Sequence, residues 1–318
     1  MNISTNRQEG PWCSRCGEPA VFLERQTGRH LCGNHLIEEV EERVRKTIHD
    51  RDLIVPGNTV AVGLSGGKDS TALLLILSRI VPAIRDARLV AITVDEGIAG
   101  YREETILSAD RFARRLGIEH HHVVFRNLFG NTLDALLIGR EERSCTVCGI
   151  LRKKALSDAA AALGATRIAT GHNLDDEAQS VLMNMLRGDL VRLARDSSTA
   201  SSGRFIPRIK PLMFVAEKEI AAYLLLRGVW QDLPECPYAH YALRQDARAM
   251  LAMLEYHYPG TMLRLMESRE AIEAVCAGAP AAGQLQNCRE CGDPCSGDLC
   301  QFCRLCRELG RPLSGPKH

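Results

Sequence analysis

Apolar and polar positions along the chain alternate between two periods. Short apolar runs at 60–64, 88–94, 121–125 and 166–170 have the length and composition of buried strands. Longer stretches near 70–80, 103–116, 150–163 and 174–187 read as helices. Strand and helix alternate in this way from 59 to about 230, which predicts an α/β protein with a parallel, doubly wound sheet. Upstream, Ile37, Val40, Val44 and Ile48 recur at helical spacing within 36–53, and Pro56-Gly57-Asn58 closes that helix. Downstream, 241–277 reads as two helices parted near Pro259-Gly260, with Leu243, Ala247, Met250 and Leu254 in one apolar stripe. Residues 1–11 and the tail beyond about 310 show no period, and 277–286 is a Gly/Ala/Pro linker. The expected domains are 1–36, 37–277 and 278–318.

In a doubly wound sheet, ligands bind beyond the carboxyl ends of the strands. Three of these strands end in unusual polar residues. The first runs Val60-Ala61-Val62 into Gly63, Ser65, Gly66, Gly67, Lys68, Asp69 and Ser70, followed by an apolar helix. Glycines let backbone approach an anion, and a helix N-terminus offers free N–H groups and a positive dipole end. Three residues, not four, separate Gly63 from Gly67-Lys68, and Asp69 follows the lysine, so the loop is not a Walker A sequence. An acid at a phosphate site calls for Mg²⁺ to bridge it, so Asp69 is the expected magnesium ligand. The second strand ends in Val94-Asp95-Glu96-Gly97, the fourth in Gly171-His172-Asn173-Leu174-Asp175-Asp176. Gly171 would permit close approach to a nucleotide. One aspartate of the pair would cap the following helix, leaving Asp175 as the candidate to share Mg²⁺ with Asp69. His172 is read as structural.

Composition narrows the class. The 318 residues are 45% hydrophobic and 25% charged, ordinary for a soluble chain with a real core. No apolar stretch approaches the roughly 20 residues of a membrane span, and the first apolar run is the Val60 strand rather than a leader, so a cytosolic protein is expected. Net charge is only +1, so any nucleic-acid contact must come from local patches. Arg152, Lys153, Lys154, Arg187, Arg192, Arg195, Arg204, Arg208 and Lys210 supply a candidate patch for a polyanionic substrate.

The 13 cysteines are the outlier. In a reducing compartment, paired cysteines read as metal ligands or catalytic thiols. Cys13-x2-Cys16 followed by Cys32-x2-His35 has the spacing of a tetrahedral Zn²⁺ site, as do Cys288-x2-Cys291 and Cys300-x2-Cys303. Cys295 and Cys306 confuse the register of the second set. Cys145-x2-Cys148 sits just before the helix expected from about Gly149, where a helix N-terminus would favour thiolates. Cys236 stands alone in Pro234-Glu235-Cys236-Pro237. Three thiolates suit three corners of a 4Fe–4S cubane with one iron open, or a persulfide carrier with a resolving partner; spacing does not separate the two.

The combination of CxxC…CxxH, SGGKDS, CTVCGILRKKAL, ATGHNLDDEAQSVLMNMLRGD, ECPYA and a terminal CxxC…CxxC resembles the PP-loop tRNA 2-thiolation enzymes that carry zinc ribbons at both ends. The resemblance spans Cys13 to Cys303. Val94 to Arg102 and Leu182 to Asp189 look like the archaeal and eukaryotic branch that acts on wobble uridine 34. The branch acting on uridine 54 is the runner-up, and cytidine 32 a further alternative. The resemblance implies a Rossmann-like ATP pyrophosphatase fold. It implies ATP held by Gly63, Ser65, Gly66, Gly67, Lys68 and Ser70, with Val94, Arg152 and Gly171 completing the site. It implies a catalytic set of Lys68, Asp69, Asp175, Cys145, Cys148 and Cys236, the three cysteines binding a 4Fe–4S cluster. It implies two structural Zn²⁺ ions, tRNA as partner, sulfide or a ubiquitin-like carrier as sulfur donor, and a homodimer. Two rival readings remain at this point: a PP-loop enzyme that adenylates or amidates a small molecule, and a zinc-ribbon RNA-binding scaffold without catalysis.

Overall fold

The structure, a computed structural model, describes residues 10–193, 206–238, 244–276 and 286–310. Arg195 and Arg204, the linker at 277–285 and the tail from 311 lie outside these residues.

A hairpin of β1 (Phe22–Glu24) and β2 (Arg29–Leu31) leads into α1 (Gly33–Asp50). β3 (Thr59–Gly63) then feeds α2 (Lys68–Ile80), and β4 (Arg88–Asp95) feeds α3 (Arg102–Leu116). β5 (Glu119–Val124) is followed by two single-turn pieces, α4 (Phe125–Phe129) and α5 (Leu133–Leu137), and by the long α6 (Ser144–Ala162). β6 (Arg167–Ala169), α7 (Leu174–Leu186), α8 (Leu190–Leu193), β7 (Arg208–Ile209) and α9 (Glu217–Leu226) complete the alternation. α10 (Arg244–His257) and α11 (Thr261–Cys276) follow. A second hairpin of β8 (Gln286–Asn287) and β9 (Pro294–Cys295) precedes α12 (Gln301–Glu308).

The central sheet has the order β5-β4-β3-β6-β7, with every pair parallel. The chain leaves β3 toward β4 and β5, then returns to the other side of β3 for β6 and β7. The loops after β3 and β6 therefore part at a topological switch point, where open α/β sheets place their ligands.

Side-chain alternation along β3 sorts the core. Val60 and Val62 face α1, α2, α3 and α9, whereas Ala61 faces α4, α5 and α6. α2 is buried almost all round, from Ser70 through Leu77, so the helix that follows the glycine loop is deeply held. Each buried leucine there contributes roughly 1.5–3 kcal/mol. α7 packs with α10 and α11 in a separate apolar cluster. The terminal ribbons dock on opposite faces: Leu31 joins the α1/α2 core, while Cys288, Phe302 and Leu305 join the α6 side.

All four expected strands are present, shifted by two residues or fewer at most ends. The largest departure is α6. It begins at Ser144, not near Gly149, so Cys145 and Cys148 lie in its first turns. Gly149 does not break it. A Cβ there would meet nothing within 4 Å, so the position is sterically open and carries only the roughly 1 kcal/mol helix penalty of glycine. α1 is displaced toward the N-terminus relative to 36–53, because the backbone turns helical directly after Cys32. β7 is two residues long and α4 and α5 five each, too short to show a period.

Candidate active site

At the switch point, β3 ends at Gly63 and α2 starts at Lys68 with Gly67 as its extended N-cap. The loop between them is held by its own serines. Ser65 N–H donates to Ser70 Oγ at 3.1 Å, the two hydroxyls meet at 3.1 Å, and Ser70 Oγ donates to the Gly67 carbonyl at 3.0 Å. Gly66 has φ +90°, and a Cβ there would lie 2.2 Å from the Thr105 carbonyl on α3. No L side chain fits that contact. The loop after β6 closes on the same spot: a Cβ on Gly171 would come within 2.9 Å of the Asp69 carbonyl carbon and the Ser70 nitrogen. The glycine is thus required by the approach of two backbone segments, whereas the sequence suggested approach to a nucleotide.

These two loops, the end of β4 and the first turns of α6 enclose a cavity of about 340 Å³. Gly63, Ser65, Gly67, Asp69, Ser70, Val94, Arg152 and Gly171 line it, while Gly66 does not. Nor does Lys68. Its ammonium sits between Asp69 Oδ2 at 3.1 Å and Glu217 Oε1 at 2.8 Å. Asp175 is also turned away, its Oδ2 accepting from the Glu217 N–H at 2.7 Å, the first amide of α9. Asp176 lines the cavity instead. The cap of α7 is Asn173, whose Oδ1 accepts from Asp176 N–H at 3.0 Å while Asp176 Oδ2 accepts from Asn173 N–H at 3.3 Å. The sequence placed Asp175 in the site; the fold gives that position to its neighbour.

Burial pushes the carboxyl groups of Asp69 and Asp176 above the ordinary carboxylate range, and for Asp69 the charge on Asp176 adds to the effect. Two facing acids with a neighbouring hydroxyl, Ser70, form a hard oxygen donor set that suits Mg²⁺. Lys153, Arg208 and Arg244 line the same cavity with Arg152. His172 accepts or donates at 2.8 Å to Thr170 Oγ1, and burial lowers it to about 4. It is a neutral, structural ring at neutral pH, as read from the sequence.

One pairing in the wall was not foreseen from the sequence. Glu96 and Arg102, each 5% exposed in their side chains, form an ion pair at 2.7 Å. The Arg102 guanidinium also donates to the Val94 carbonyl and, at 3.1 Å, to the Ser65 carbonyl. It therefore fastens the end of β4 to the glycine loop. Glu96 reaches on to Arg152 at 3.7 Å. A charge in a loop reads as solvated until the fold buries it.

The basic run divides. Arg152 is 55% exposed beside the cavity. Lys154 instead pairs with Asp158 at 2.8 Å and Asp293 at 2.9 Å, pinning the C-terminal ribbon to α6. Lys210 pairs with Glu177 at 2.8 Å and Arg192 with Asp189 at 3.1 Å.

Cys148 and Arg152 are one turn apart on α6, so the cysteine trio adjoins the cavity. Cys145 Sγ donates to the Tyr238 carbonyl at 3.8 Å, and Tyr238 Oη donates to Asp134 at 2.8 Å, tying down the segment that carries Cys236. Burial pushes the Cys148 thiol up to about 11 and raises Cys236 as well. The thiolate expected from the helix N-terminus is thus outweighed by desolvation. The donor set, three mutually interacting sulfurs, fits an iron–sulfur group.

The terminal sets are tighter. Cys13, Cys16, Cys32 and His35 bring their ligand atoms within 4.8 Å of one another, as do Cys288, Cys291, Cys300 and Cys303. His35 Nδ1 lies 3.3 Å from both Cys13 and Cys32 Sγ, with Glu38 3.8 Å from its other nitrogen. The second register is the one preferred from spacing: Cys295 Sγ turns away to the Gly297 carbonyl at 2.7 Å. Both sets have the chemistry and closeness of tetrahedral zinc sites.

A parallel sheet with a glycine loop, two acids and cationic side chains at its switch point defines a nucleotide-binding α/β protein. Comparison with known proteins narrows this. The PP-loop domain model matches residues 36–232, and the model described as the N-terminal LIM domain of 2-thiouridine synthetase TtuA matches 13–37. The chain is 37% identical to the tRNA 2-thiolation protein NcsA of Haloferax volcanii, over 93% of its length and 98% of the relative's. It is 40% identical to cytoplasmic tRNA 2-thiolation protein 1 of Bos taurus, over 95% and 88%. Its fold matches the U34-tRNA thiolase NcsA from Methanococcus maripaludis, solved with its 4Fe–4S cluster, with a TM-score of 0.83 and 31% identity, over 96% of this chain and 99% of that one. The chain belongs to the PP-loop tRNA 2-thiolation family and is a tRNA sulfurtransferase.

Proposed function

We propose that the chain adenylates the C2 oxygen of wobble uridine 34 in tRNA with ATP and replaces that oxygen with sulfur, releasing AMP and pyrophosphate. The observation that carries this reading is the shared wall of α6: Cys148 faces the cysteine trio, and Arg152, one turn on, faces the phosphate cavity. Activation and sulfur delivery would then meet on one uracil ring. The C2 oxygen of uracil leaves poorly, and its conversion to the oxygen of AMP makes it a good leaving group. The glycine loop and the N-terminus of α2 would orient the phosphates, with Arg152 and Arg244 stabilising charge as it develops. Asp69 and Asp176 would hold Mg²⁺. Lys68 would act from outside the cavity by keeping Asp69 oriented. Cys145, Cys148 and Cys236 would hold a 4Fe–4S cluster, which supplies an open iron to bind sulfide. The Glu96–Arg102 pair would keep the end of β4 and the loop in register. A loop uridine is reachable once unstacked.

The choice of uridine 34 is supported by the U34-tRNA thiolase activity of the structural neighbour and by whole-chain similarity. The 2-thiouridine synthetase TtuA domain model, which matches 13–37, keeps the uridine 54 alternative in view. By family likeness, sulfide or a ubiquitin-like carrier would be the donor, zinc would fill both ribbons, and the protein would work as a cytoplasmic homodimer. No helix among the described residues is long and apolar enough to cross a membrane.

The deciding experiment maps thionucleosides in tRNA fragments by mass spectrometry, from a strain lacking this protein. Loss of 2-thiouridine at position 34 alone is expected. Loss at uridine 54 or cytidine 32 would keep the chemistry and change the substrate. Unchanged thionucleosides would sink the reading.

A further inference from the structure

His120-His121-His122 on β5 has no part in the site described above. Alternate residues of a strand share a face, so His120 and His122 point together toward α3, where Asp110 meets them. His120 Nδ1 lies 2.9 Å and His122 Nε2 2.8 Å from the same oxygen, Asp110 Oδ1. The imidazole centroids are 4.5 Å apart, and one ligand atom from each of the three residues falls within 4.8 Å of the others. The other carboxylate oxygen, Oδ2, is 3.6 Å from Arg114, which leaves Oδ1 to the rings.

Thr93 fixes the tautomer of His120. Its hydroxyl has one proton, and that proton goes to the Leu64 carbonyl at 2.6 Å. At 2.7 Å from His120 Nε2 the hydroxyl oxygen must therefore accept, so Nε2 carries the ring proton. In the neutral ring Nδ1 is then a bare lone pair. This atom is buried with no hydrogen-bond partner, in a side chain only 7% exposed, and it faces a carboxylate oxygen. Two electron-rich atoms held this close repel each other. A cation bound to both would remove the repulsion and satisfy the orphaned nitrogen.

We propose that His120 Nδ1, His122 Nε2 and Asp110 Oδ1 form a third metal site, selective for a divalent transition cation of the zinc class. Two imidazoles and one carboxylate are borderline ligands that suit Zn²⁺ or Co²⁺, not Mg²⁺ or Ca²⁺. His122 is 35% exposed, so the fourth position opens to solvent. The site staples the edge strand to α3. It also touches the glycine loop at one remove, because Thr93 hands its proton to the carbonyl of Leu64, the residue before Ser65.

The test counts metal. Full-length protein with both ribbons loaded is dialysed to equilibrium against Zn²⁺, and bound zinc is measured by plasma mass spectrometry. Wild type and the His121→Ala control should hold one equivalent more than His122→Ala. Asp110→Asn should match His122→Ala, which covers the case where either variant folds poorly. Co²⁺ at the extra site should show weak d–d bands without the intense thiolate charge transfer of the ribbons. Equal zinc counts in wild type and both site variants would overturn the proposal. So would nitrogen NMR of the metal-free chain showing both His120 nitrogens protonated at neutral pH, since an imidazolium–aspartate pair would then replace the metal.

Discussion

At the two ends of the chain, cysteines reach their positions through tight turns; at its centre, they reach them through a packed sheet. In the N-terminal ribbon, burial pulls the Cys13 thiol upward, but backbone N–H groups of Cys32, Arg15 and Cys16 outweigh it and hold the thiol down to about 5. Cys288 is held to about 6 against burial in the same way, by the N–H groups of Cys300, Cys291 and Glu290. At the centre, burial dominates and Cys148 rises to about 11. Within the ribbons the tuning is mixed, for Cys16 is raised and burial pushes Cys291 up to about 12. Cys13 and Cys148 are set in opposite directions, the one by backbone donors and the other by burial.

The sharpest way to separate the two regions is Cys236→Ser. We expect 2-thiouridine to fall to background while stability changes by under about 1 kcal/mol, read by nucleoside mass spectrometry and thermal melting. Thiolation at the wild-type level would remove the central trio from the chemistry. Next in size is pH. Iron loading of the apo-protein must displace the Cys148 proton, so below about 11 its apparent affinity should rise about tenfold per pH unit for that thiol alone. The Cys13 thiol, already ionised above about 5, should add no slope to zinc loading near neutrality. Iron affinity that is flat from about pH 6 to about pH 8 would contradict the contrast. The smallest effect is Cys295→Ala, which breaks the bond to the Gly297 carbonyl at a cost on the order of 1 kcal/mol. Zinc content should not change, whereas Cys303→Ala should lose an equivalent. Loss of zinc from Cys295→Ala would mean the other register.

The glycine loop, the strand positions and both ribbons were legible because each is a local pattern: spacing, period or turn chemistry. Asp69, Ser70, Val94 and Arg152, named from the loop pattern and the family resemblance, line the cavity. What was not legible depends on burial between distant segments. Asp175 and Asp176 are indistinguishable in sequence, and only the approach of α9 decides that Glu217 N–H claims the first. Lys68 reads as a phosphate ligand until Glu217 appears beside it. The pairing of Arg102 with Glu96 depends on α3 packing against the loop. The start of α6 was hidden by Gly149, a residue that ends helices in most settings and here merely leaves room on the cavity side.

The two loops that meet at Gly171 also bring together the amino ends of α2 and α7. Much of the pull on a polyphosphate then comes from peptide dipoles, which have no proton to gain or lose. That share of the pull would be insulated from acidity, whereas the Asp69 and Asp176 carboxyls and the Cys148 thiol beside it would still answer to it.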